Sequence, residues 1–126
     1  MAAREATDAT FNDIVENNAV VFIDFWAEWC GPCKRFAPIF EAASEKHPDV
    51  VFAKVDTEAE PALAGAFGIR SIPTLMVFRD QVMVFQQAGS LPAAALDELV
   101  DKVKQLDMDK VRAELAAHEG KHATAT

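Results

Sequence analysis

Cys30 and Cys33 are the two cysteines of this 126-residue chain, and Gly31 and Pro32 separate them. Two thiols this close can either exchange with disulfides or share a metal ion. A disulfide spanning so few residues gains little from chain entropy, so it stays open to exchange instead of acting as a permanent staple. Structural zinc takes about four protein ligands. There is no second cysteine pair, and His47, His118 and His122 are neither close in sequence nor placed opposite the motif. The ligand arithmetic therefore leaves redox chemistry, with no metal.

That chemistry needs a thiolate. Ahead of the cysteines, Val20 to Phe25 is β-branched or aromatic apart from Asp24, the pattern of a strand buried on both faces. Behind them, Lys34 to Lys46 carries Phe36, Ile39, Phe40 and Ala43 at helical spacing, with Pro38 expected to kink the helix and His47-Pro48 to end it. Both sulfurs then lie at a helix start, where free N–H groups and the dipole favour a thiolate. Cys30, nearer the loop and solvent, is the expected nucleophile, and Cys33, one turn further in, the resolving thiol. Asp24 is costly as a buried carboxylate; desolvation should raise its pKa and make it a candidate proton acceptor.

The remaining elements frame this pair. Phe11, Ile14 and Val15 make a short amphipathic helix, and Thr10 with Asp13 resembles a capping box. A strand is expected over Val50 to Val55, and a helix from Glu60-Pro61 that stops at Gly68. Ile69 to Pro73 reads as a loop. Thr74 to Phe78 and Val82 to Gln87 are two strands joined too tightly to be anything but an antiparallel hairpin. Ser90 is expected to cap a last helix, whose apolar stripe is Leu96, Leu99, Val100, Val103 and Leu106. Met108, Val111 and Leu115 keep helical spacing beyond it, whereas Gly120 to Thr126 is expected to fray. The fold class is α/β, a central mixed sheet flanked by helices on both faces.

Length allows one domain. A composition 51% hydrophobic and 25% charged is globular and argues against disorder. The net charge of -8 repels a phosphate backbone, so no nucleic-acid partner is expected. Met1 to Thr10 lacks the apolar core of a signal peptide, and the longest strongly apolar run, Ala19 to Ile23, stops at Asp24. A cytoplasmic protein with no membrane partner is the expectation.

The segment Asp24-Phe25-Trp26-Ala27-Glu28-Trp29-Cys30-Gly31-Pro32-Cys33-Lys34 closely resembles the active-site segment of the thioredoxin family. The resemblance continues through Ala53-Lys54-Val55-Asp56 and Gly68-Ile69-Arg70-Ser71-Ile72-Pro73-Thr74 to Gly89. It implies a thioredoxin fold over residues 1–106, with 107–126 as a helical or flexible extension outside it. It also implies that Asp24 takes the proton of Cys33, that Lys54 modulates Asp24, and that the Ile72-Pro73 bond is cis. Trp29, Gly31, Pro32, Ile72, Pro73, Ala88 and Gly89 would form the docking surface for substrate proteins, with Trp26 packing behind it. The implied activity is that of a general protein-disulfide reductase. It has no bound cofactor, is recycled by thioredoxin reductase with electrons from NADPH, and is expected to be a monomer.

This sequence departs from the family pattern at Ser71, at Arg79-Asp80-Gln81, which lacks a common glycine, and beyond residue 106. An oxidase or isomerase is the competing enzymatic reading. The Gly-Pro pair argues for a reductant, since histidine between the cysteines favours the thiolate and destabilises the disulfide. A binding module with incidental redox is a third reading, and one that would survive loss of both cysteines.

Overall fold

Runs of β-branched and aromatic residues become strands here because each has a face to bury on either side of the sheet. The computed structural model describes residues 3–124, and side chains as far as residue 117. In chain order the elements are β1 (Arg4–Glu5), α1 (Phe11–Glu16), β2 (Val20–Trp26), α2 (Gly31–Lys46) and β3 (Val51–Asp56). They continue with α3 (Pro61–Ala66), β4 (Thr74–Arg79), β5 (Val82–Ala88), α4 (Ala93–Lys104) and α5 (Met108–Thr124).

The sheet order is β1-β3-β2-β4-β5. β1 and β3, and β3 and β2, run parallel, while β4 is antiparallel to both β2 and β5. The mixed α/β sheet expected from the sequence is therefore present. Alternation along the strands divides the core in two. Val21, Ile23, Phe25, Ala53, Val55 and Met76 face α1 and α3, meeting Phe11, Ile14, Val15 and Leu63. Phe22, Phe52, Leu75 and Val77 face α2 and α4, meeting Phe36, Phe40, Leu96, Val100 and Val103.

Several local expectations need correction. Thr10 makes no side-chain cap to α1; its hydroxyl accepts instead from the Thr7 N–H at 2.9 Å, because the chain already turns there. Ser90 does not cap α4, which starts after Pro92. A residue before proline is held extended, so Leu91 cannot lie in a helix and the start is displaced past Ser90. β1, too short to carry a period, is absent from the sequence reading. The stretch from Gly120, expected to fray, continues α5 as far as Thr124; residues 125–126 of that expectation lie outside the described residues. Ala113, Ala116 and Ala117 give α5 strong helix formers, and Asp107 starts it by accepting from the Lys110 N–H at 3.2 Å.

Candidate active site

β2 ends and α2 begins around the two sulfurs. Cys30 occupies the N-cap of α2 in an extended conformation, and its sulfur accepts the Cys33 N–H at 3.1 Å. Proline in the first turn loses no hydrogen bond, since its missing N–H belongs to a position with no helical acceptor. Cys30 and Cys33 are joined by a disulfide, with Cα atoms 5.2 Å apart. Their exposures are 4% and 2%, so in the oxidised form accessibility does not separate the two sulfurs. What separates them is the helix start, where the donor points at Cys30.

Asp24 stands in β2 six positions before Cys30, fully buried. Neither of its carboxyl oxygens has a hydrogen-bond partner among the described residues. Burial raises the carboxyl and the Lys54 ammonium offsets part of that rise, so that it stands at about 7 against its ordinary 3.8. Lys54 is the register partner of Asp24 across β2 and β3. Its ammonium lies over the Trp26 ring, 4.7 Å from the centroid. A cleft of about 370 Å³ opens beside Cys33, lined by Trp26, Glu28, Lys34, Ala37 and Lys54.

The opposite wall is the loop before β4. The Ile72–Pro73 bond is cis, and the Ile72 carbonyl oxygen lies 3.6 Å from the Cys30 sulfur. The Pro73 carbonyl accepts the Gly89 N–H at 2.8 Å, which joins the loop to the end of β5. Trp29, Gly31, Pro32, Ala88 and Gly89 are exposed, Ile72 is half-buried and Pro73 is buried, so Pro73 shapes this surface more than it presents a face. Trp29 is 69% exposed yet fixed, because its indole N–H donates to Glu58 at 2.6 Å. Glu58 is held in turn by its own N–H donating to Asp56 at 2.9 Å. Sequence reading missed Glu58, one acid of several after β3, since only the tertiary fold brings that turn to Trp29. Among the described residues, no three His, Cys, Asp or Glu side chains gather as metal ligands would. His47 instead lies 3.0 Å from Asp97 of α4, and His118 and His122 fall outside the residues whose side chains are described.

A five-stranded mixed sheet with a dithiol pair at the start of a helix and a cis-proline loop against it defines a thiol–disulfide oxidoreductase. The family model described as Thioredoxin matches residues 2–111, and the chain belongs to the thioredoxin family. A Streptomyces coelicolor protein named "Putative thioredoxin 2" is 58% identical over 112 residues, covering 89% of this chain and 84% of that protein. The thioredoxin of Mycobacterium bovis is 43% identical, covering 84% of this chain and 94% of its own length. Among solved structures, a mutant thioredoxin of Halobacterium salinarum superposes with a TM-score of 0.77 at 34% identity, over 82% of this chain and 92% of that one. The chain is accordingly a thiol–disulfide reductase of this family.

Proposed function

We propose that the chain reduces disulfides in other proteins with the Cys30 sulfur as the attacking group. The observation that carries this is the Cys33 N–H aimed at the Cys30 sulfur from 3.1 Å at the open start of α2. A thiolate at that position keeps the hydrogen bond and lies at the positive end of the helix dipole. It attacks one sulfur of the target disulfide, forming a mixed disulfide and expelling the other sulfur as a thiolate. Cys33 then gives its proton to Asp24 and attacks Cys30, which releases the second target thiol and leaves the Cys30–Cys33 bond. Two electrons pass to the target in the cycle.

Asp24 suits the acceptor role because it is buried, unpartnered and half-ionised near neutrality. Lys54, its register partner, favours the ionised carboxylate that must be present before the proton arrives. The exposed rim of Trp29, Gly31, Pro32, Ile72, Ala88 and Gly89, shaped by Pro73, offers a weakly polar surface for varied partners. The Ile72 backbone can pair with an extended substrate segment without requiring a particular side chain. Recycling falls to a thioredoxin reductase drawing on NADPH, as is general in the family, with no cofactor held by this chain. The protein acts as a cytoplasmic monomer, without nucleic acid or membrane. Residues 1–106 form the catalytic domain and 107–126 an extension outside it. No helix among the described residues is long and apolar enough to cross a membrane.

The test is reduction of insulin disulfides with dithiothreitol as the electron source. Cys30→Ser and Cys33→Ser should each lose activity, and only Cys33→Ser should trap its target covalently. Trapping by Cys30→Ser instead would reverse the assignment, and activity that survives loss of both cysteines would point to a binding module.

A further inference from the structure

The sheet face that carries Asp24 also carries Lys54, in register with it on β3, and Trp26, two positions along β2. A lysine beside a buried carboxyl with both oxygens unpartnered should donate to it, since an unmade hydrogen bond in the interior is costly. Lys54 does not; its ammonium rests over the Trp26 ring, 4.7 Å from the centroid. Tryptophan is the ring that holds a cation best, and partial burial strengthens the attraction. Trp26 is half-buried, packed against Ala27, Cys30 and Cys33.

We propose that Trp26 is a positioning residue for the proton acceptor, holding the Lys54 ammonium off Asp24 while the carboxyl is protonated and yielding it as the carboxyl ionises. The inference rests on reading Asp24 as the acceptor for Cys33. Two positions then compete for one cation. Over the ring, the ammonium leaves Asp24 without a close counter-charge, which favours the protonated carboxyl that results once Cys33 has given up its proton. At the carboxylate, the ammonium stabilises the charge that Asp24 carries before the Cys33 proton arrives. Trp26 thereby sets how readily the acid titrates, although it touches neither the carboxyl nor a reacting proton.

Other charges facing this pair are few. Glu5 on β1 is in register with Lys54 on its far side, and Glu28 and Lys34 line the same cleft. Cys30 and Cys33 on α2 carry no charge as a disulfide, and Leu75, the partner of Asp24 on β4, carries none. The titration of Asp24 is best followed in the oxidised protein, where no thiolate is coupled to it.

The experiment follows the Asp24 carboxyl by carbon NMR in the oxidised full chain across pH 4 to 10. Trp26→Leu frees the ammonium and should lower the Asp24 midpoint by roughly half to one pH unit. Trp26→Phe keeps a ring and the packing and should lower it by less. Loss of the indole could also admit water to Asp24 and lower the midpoint without Lys54, so both changes are repeated with Lys54→Met. In that background the shift caused by Trp26→Leu should fall to less than about a third of its former size. An equal shift in both backgrounds, or no shift from either Trp26 variant, overturns the proposal. A Cys33 resolution step that is not slowed by Asp24→Asn would refute Asp24 as acceptor while leaving this coupling measurable in the parent chain, so the two readings fail separately.

Discussion

A carboxyl with no exposed surface and no hydrogen-bond partner among the described residues is a liability that Asp24 carries in the middle of β2, and its pH dependence is the consequence to measure. Below its ordinary pKa of 3.8 the group is protonated in both folded and unfolded chains. Between 3.8 and about 7 the folded protein retains a proton that the unfolded chain has lost, so stability falls as pH rises. Above that window the full cost stands, of the order of 4 kcal/mol by linkage. Asp24→Asn cannot ionise, so its urea midpoint should stay nearly flat from pH 4 to 8 while that of the parent falls. At pH 8 the variant should be the more stable protein, and its Cys33 resolution step the slower. Parallel pH profiles for the two proteins would mean that Asp24 is ionised throughout. Sequence exposed this residue because one acid in an apolar run breaks a pattern. It could not expose Glu58 or the Trp26–Lys54 contact, which require segments about thirty residues apart to meet in a particular register.

At the scale of elements, the β4–β5 hairpin holds the clearest conflict between sequence and backbone. Asp80 and Gln81 have φ of 50° and 71°, the left-handed pair that a two-residue hairpin turn demands. Glycine takes that conformation without cost, whereas a side chain at each position is strained. Gln81→Gly should therefore raise stability by about 1 kcal/mol, less whatever the freer unfolded chain takes back, read as a higher urea midpoint at unchanged slope. A lower midpoint would mean that the Gln81 side chain contributes more than its backbone costs. Strand pairing was legible here because two apolar runs so close in sequence have one way to meet, but no period reports a turn's φ. The same limit hid the Arg79 guanidinium, which leaves β4 to donate to the carbonyls of Val103, Lys104 and Leu106 at 2.7, 3.1 and 3.3 Å. Sequence marks the end of α4 by its last apolar residue, while the structure closes it with a side chain from another element.

At the scale of the molecule, chemistry and extension occupy opposite ends of one hairpin. Ala88 pairs with Thr74 beside the cis bond, whereas the other end of β5 supplies Met83 and Val84 to a groove shared with Leu106, Val111 and Leu115. Five or six residues of strand separate the two ends, about 17–20 Å. α5 anchors there through Met108, which is 6% exposed, and through Arg112, 3.8 Å from Asp80. Burying one methionine contributes about 2 kcal/mol, while an ion pair that open to solvent adds little. A chain ending at Leu106 should therefore unfold at lower urea, by an equivalent of about 2 kcal/mol, yet reduce insulin disulfides at the parent rate under folding conditions. Replacing only Met108 with alanine should reproduce most of the stability loss, because the rest of the described part of α5 is largely solvated. If the truncated chain is as stable as the parent but slow on its substrates, α5 reaches the docking surface, and the separation of the two ends argued from β5 does not hold.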